Sequence, residues 1–132
     1  MVERTRPVSK HKSLVYWRKA EEFYIEMKHA GSEARWNAAS LNAIHCAISS
    51  ADALSVAFLG LRSASQRHED AEQLIRKTGA AGCEEKAKQF VQVTNLKALV
   101  EYSDDEPTEK DARRIVLQTE RFFSWVKSKL NM

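Results

Sequence analysis

The chain is short of the residues that make turns. Its 132 positions hold four glycines and two prolines, too few for a fold of many strands joined by tight turns. Cysteine is scarce too. Cys46 and Cys83 stand in different segments with no Cys-x-x-Cys spacing, which argues against a disulfide framework or a zinc site and for two reduced packing residues. The four histidines are equally scattered, so no metal and no other cofactor is expected. The opening residues Met1-Val2-Glu3-Arg4-Thr5-Arg6-Pro7 lack the apolar stretch of a secretory signal, and no later run reads as long and nonpolar enough to cross a bilayer. A cytoplasmic location with no membrane contact is the expectation. Gly-rich phosphate loops, serine or cysteine triads in convincing context, and internal repeats are also missing.

What is present favours helices. Ala, Glu, Lys, Arg and Leu abound, and 43% of the residues are apolar, enough for the core of one domain. Five segments carry helical spacing. In the first, about Lys10 to Ala30, Trp17, Ala20, Tyr24 and Met27 recur at three- and four-residue intervals. Gly31 is expected to stop it and Ser32 to cap the next helix. The second, about Glu33 to Leu59, is the least polar and should lie at the centre of a bundle. Gly60 and the Ser-rich stretch through Arg67 read as a loop, and His68 to Lys77 as a short helix supported by Glu72 and Arg76. The fourth runs from Cys83 to Tyr102, with a kink or restart expected at Thr94-Asn95. After an acidic turn, Thr108 opens the fifth helix, whose Ala112, Ile115, Thr119, Phe122, Phe123 and Val126 share one face. The class is all-α, an antiparallel bundle of four or five helices.

Charge is uneven along this frame. From Met1 to Lys19, six basic residues against the single acid Glu3 give +5, so the net +3 of the chain leaves −2 for the rest. Residues 1–9 read as a basic arm and 10–132 as one domain. Such an arm is either solvated or attracts phosphates, with Arg4, Arg6, Lys10 and Lys12 as the binding candidates. Trp17, Trp36, Trp125, Phe122 and Phe123 have the chemistry to stack on bases, but their helical periodicity points to core packing. Glu109 is placed to pair with Arg113 one turn on.

Two long stretches, WNAASLNAIHCAISSADALSVAFLGLRSASQRHEDAEQLI and NLKALVEYSDDEPTEKDARRIVLQTERFFSWVKSKL, have a common order. An Ala-rich helix leads into a charged loop and short helix. A segment ending in Glu-Tyr then precedes an acidic turn and an aromatic-rich last helix. Over residues 33–130 this order resembles HEPN domains, the higher-eukaryote and prokaryote nucleotide-binding family. The resemblance implies an antiparallel bundle, often a homodimer. It places the chain among RNase toxins of toxin-antitoxin pairs, partners of small nucleotidyltransferases, and members without established activity. Nuclease members of the family carry an arginine followed four to six residues later by a histidine, usually late in the fold. Here the late position reads Lys97-Ala98-Leu99-Val100-Glu101-Tyr102, so Lys97 and Tyr102 stand where arginine and histidine would be expected.

An arginine and a histidine do occur at compatible spacing earlier, as Arg62 and His68. His68 could move a proton and Arg62 stabilise charge on phosphate during RNA cleavage. The plainer reading makes Arg62 a solvated residue and His68 part of a helix start. His45, Ser49 and Asp52 form a polar stripe on the second helix. They could line a ligand pocket, tune a proton-transfer site or hydrogen-bond across a dimer interface, and the last is the expectation because buried polar groups need partners. The expectation is a HEPN-like nucleotide- or RNA-binding or protein-interaction module lacking the late RNase motif. The alternatives are a metal-independent endoribonuclease using Arg62 and His68, and a partner subunit for a nucleotidyltransferase.

Overall fold

The computed structural model describes residues 4–64 and 68–132, and of His68 the backbone alone. Helices α1 (Ser13–Ser32) and α2 (Trp36–Leu59) form a long antiparallel pair, preceded by a 3-10 turn at Lys10–Lys12. Helices α3 (His68–Lys77) and α4 (Cys83–Thr94) form a second pair, α5 (Lys97–Tyr102) is a single short piece, and α6 (Glu109–Lys129) closes the bundle against α2, α4 and α1. The core lies where these meet, around Trp17, Met27, Ile44, Leu54, Phe90 and Phe122, all fully or almost fully buried. Trp17 stacks on Phe123 with ring centroids 4.6 Å apart, and Tyr24 stacks on the same phenyl at 4.2 Å. The aromatic spacing therefore marks packing for Trp17, Phe122 and Phe123, while Trp36 and Trp125 are half-buried. The Trp125 indole donates to the Ala81 carbonyl at 2.9 Å.

Local chemistry explains most boundaries. Thr108 caps α6, its hydroxyl accepting from the Asp111 amide at 3.0 Å, with Glu109 and Asp111 in the positive first turn. The expected break at Thr94-Asn95 separates α4 from α5. The Thr94 hydroxyl donates to the Phe90 carbonyl at 3.1 Å, a back-bond that competes with the helix ladder where α4 stops. Arg76 binds Glu72 one turn earlier at 2.8 Å and also reaches Glu84 on α4, tying the two short helices together.

Four features differ from the expectations. Gly31 does not end α1, which runs on to Ser32; the left-handed residue of this turn is Ala34, with φ +57°. Ser32 does not cap α2 either, because its hydroxyl is engaged backward, donating to the His29 carbonyl at 2.7 Å. The Ser-rich stretch is not all loop. Leu61–Ser63 forms strand β2, antiparallel to β1 (Thr5–Pro7), so the basic arm is tied to the body of the protein over these residues. Finally, α2 does have the length and hydropathy of a bilayer span, but two-thirds of that stretch is buried among the other helices. Most of its apolar surface is covered within the bundle.

Candidate functional site

Helix α2 ends at Gly60, whose φ of +67° is a left-handed conformation that a side chain disfavours. The chain reverses there, and the Gly60 carbonyl accepts from the Val8 amide at 2.9 Å. This reversal lays β2 beside the last turns of α2. It thereby brings Arg62 onto Asp52, with guanidinium Nη2 and carboxylate Oδ2 3.3 Å apart. Asp52 is only 7% exposed. Burial pushes its carboxyl up to about 6, against the pull of Arg62 first, then Lys19 and Arg6.

The Arg62 guanidinium also lies over the Tyr16 ring, 5.1 Å from its centroid, and the Lys19 ammonium approaches the same ring at 5.6 Å. Both are cation–π arrangements, which hold a cation without neutralising it. The Nε of Arg62 is enclosed and has no acceptor among the described residues. One buried carboxylate is thus surrounded by Arg62, Lys19 and Arg6, a local excess of positive charge built from α1, α2 and the two-stranded ribbon. A guanidinium held in this way has donors in a fixed fork suited to a phosphate.

The structure distributes the candidate residues over two places. Arg6, Asp52 and Arg62 belong together at the ribbon end of the bundle. Arg4 lies at the end of the same ribbon, its carbonyl accepting from the Ala64 amide. The Lys10 side chain lies beside Gly60, and Lys12 is exposed in the 3-10 turn. His68 opens α3 six residues after Arg62, but its side chain lies outside the described residues. The second place is α5. There Glu101 binds His45 at 3.4 Å and Lys97 at 4.0 Å, and Phe23 stacks on the His45 ring. A hydrogen bond to Glu101 pushes the Tyr102 phenol up. His45 is two turns, or about 10 Å, from Asp52 along α2, so Lys97 and Tyr102 belong to a different cluster from Arg62. Ser49, between them, is buried.

The polar stripe on α2 therefore finds partners inside the chain for two of its members, His45 in Glu101 and Asp52 in Arg62. Tyr16 and Lys19 were missed by sequence reasoning. Both sit on α1 beside Trp17, whose core periodicity dominates that stretch, and only the fold reveals that they face β2. Arg113 has its partners elsewhere, in Glu109 at 2.9 Å and the Trp36 ring at 4.9 Å. Cys46 and Cys83 are both free and buried, and burial pushes the Cys46 thiol up to about 12. It is a packing group rather than a nucleophile at neutral pH. Among the described residues no cluster of three metal-ligating side chains occurs.

Comparison with known proteins returns no match among curated proteins and none among solved structures. A family model does match nearly the whole chain. It covers residues 13–129, from the first residue of α1 to the last of α6, and it is that of the HEPN domain. The chain belongs to the HEPN domain family.

Proposed function

We propose that this HEPN domain binds the phosphate backbone of RNA at the end of the bundle where β2 meets α2, with Arg62 as the central contact. The observation that carries the reading is the state of that side chain. Asp52 and the Tyr16 ring orient the guanidinium, and its Nε has no acceptor among the described residues. The oriented guanidinium is still 31% exposed, so its outer nitrogens, rather than the enclosed Nε, present charge-assisted donors to an incoming oxyanion. Lys19 and Arg6 add attraction at longer range.

Cleavage is the second reading, supported by the chain path: β2 runs from Arg62 toward α3, which His68 opens. In that reading Arg62 stabilises charge on the phosphate and His68 transfers the proton. The domain also acts as a homodimer in this proposal. Leu14 and Val15 at the start of α1 and Phe58 at the end of α2 are 49%, 40% and 36% exposed, at the same end as Arg62. Covering them with a second copy would bring two such sites near each other.

The test is incubation of a mixed RNA pool with purified protein in EDTA, recording binding and cleavage in the same samples. The Arg62→Ala and Arg62→Ala/His68→Ala variants are run beside the parent. Binding lost in Arg62→Ala with helical content intact is the expected result, and unchanged binding refutes the assignment. Cleavage by the parent that disappears in the double variant establishes the second reading. Binding without cleavage leaves a noncatalytic module.

A further inference from the structure

The family match begins at residue 13, yet the ribbon end of the site is built partly from residues that precede it. We propose that this preceding segment supplies a second phosphate-binding arginine: Arg6, held opposite Arg62 across the ribbon, joins it in clamping the backbone of single-stranded RNA. The inference rests on the RNA-phosphate reading above.

The register carries it. Thr5 pairs with Ser63, Arg6 with Arg62 and Pro7 with Leu61. Hydrogen bonds from the Val8 amide to the Gly60 carbonyl and from the Ala64 amide to the Arg4 carbonyl, both 2.9 Å, lock the ribbon on either side of the arginine pair. Residues directly opposite in an antiparallel pair project from the same face, close enough for their side chains to interact. Arg62 meets Asp52 on that face, and Arg6 acts on the same carboxylate.

Two arginines placed opposite each other repel. Among the described residues the Asp52 carboxylate hydrogen-bonds to Arg62 alone, and Arg6 is exposed, with no side-chain hydrogen bond or ion pair. The single acid beside them, Asp52, offsets at most one of the two positive charges. An anion between them turns the repulsion into two charge-assisted contacts. The phosphodiester backbone of a flexible single strand can lie along a short two-stranded ribbon, and Lys19 extends the positive field beyond it.

The experiment uses the full chain and a short fluorescein-labelled single-stranded RNA in EDTA, with anisotropy read over a series of salt concentrations and RNA integrity checked on a gel. The parent is compared with Arg6→Ala, Arg6→Lys and Arg62→Ala. Loss of one phosphate contact should lower the slope of log affinity against log salt by about 0.7. Arg6→Ala is expected to weaken binding and lower the slope by that amount. Arg6→Lys should keep the slope while binding less tightly than the parent, because the charge remains and the fork is lost. If Arg62→Ala weakens binding while Arg6→Ala does not, the clamp is overturned and the Arg62 site stands. If neither substitution matters, both readings fall. A weaker Arg6→Ala complex with the parent's slope, not recovered by Arg6→Lys, assigns Arg6 to holding the ribbon and also overturns the clamp.

Discussion

Asp52 occupies a position that helix packing alone would give to an apolar residue. Its neighbours along α2 include Ala51, Ala53 and Leu54, all buried. The carboxyl is held up at about 6 because desolvation outweighs the attraction of Arg62, Lys19 and Arg6. The sign of the linkage follows. In the unfolded chain the group ionises near 3.8 and in the folded protein near 6, so the proton is bound more tightly in the folded state. Its contribution to stability is most favourable below about 4 and is lost as pH rises through about 6. The size is on the order of 3 kcal/mol, from the separation of the two values. Urea midpoints of the parent and Asp52→Asn, taken from acid to neutral pH, should show the difference in stability shifting by that order in the parent's disfavour. A difference independent of pH would mean that Asp52 does not titrate in this window. Arg62, His68 and Asp52 were all legible as candidates from residue type and spacing. That Asp52 holds Arg62 was not, because the contact depends on a reversal of the chain and not on any periodicity within one helix.

That reversal belongs to the scale of elements, and Gly60 makes it. A Cβ there would approach the Val8 carbonyl at 3.5 Å, ordinary contact, so the obstacle to substitution is the left-handed φ of +67°. Gly60→Ala should cost about 1–2 kcal/mol, read from the urea midpoint. It should also weaken RNA binding if the angle between α2 and β2 sets the position of Arg62. The cap of α6 gives an independent element-scale test. Thr108→Ala removes the acceptor for the Asp111 amide and should cost about 1 kcal/mol, with RNA affinity unchanged because α6 starts away from the site. Helix positions were readable wherever an apolar stripe or a cap marked them, as in α6. The ribbon was not. Thr5-Arg6-Pro7 and Leu61-Arg62-Ser63 are each three residues long, too short for alternation to show, and they pair across a separation of more than fifty residues. At the end of α1, Gly31 and Ser32 suggested a stop and a cap, but a serine that bonds back to His29 extends the helix by a turn fragment instead.

At the scale of the whole molecule, the core and the proposed dimer respond to different substitutions, which separates folding from assembly. Phe122 is fully buried and packs against Phe90 and Trp125. Phe122→Ala should cost about 3–5 kcal/mol and lower the thermal midpoint sharply in either oligomeric state. Leu14 and Phe58 are partly exposed, so replacing them with glutamate removes little of the core. Light scattering on the parent at micromolar concentration is expected to give twice the 15.0 kDa chain mass. The Leu14→Glu/Phe58→Glu variant should give the monomer mass with its helical spectrum retained, since charge buried in an apolar interface disfavours association far more than it disfavours an open surface. A parent that is already monomeric removes the dimer from the proposal and leaves a single ribbon site per molecule. A dimer that survives both substitutions places the interface on another face, where the two copies of Arg62 need not approach. RNA affinity is read instead on the uncharged counterpart Leu14→Asn/Phe58→Asn, which adds no negative charge beside Arg62: once monomeric, it keeps the parent's affinity if the site works in one copy and loses it if the site needs two, although Arg6, Asp52 and Arg62 are unaltered in both.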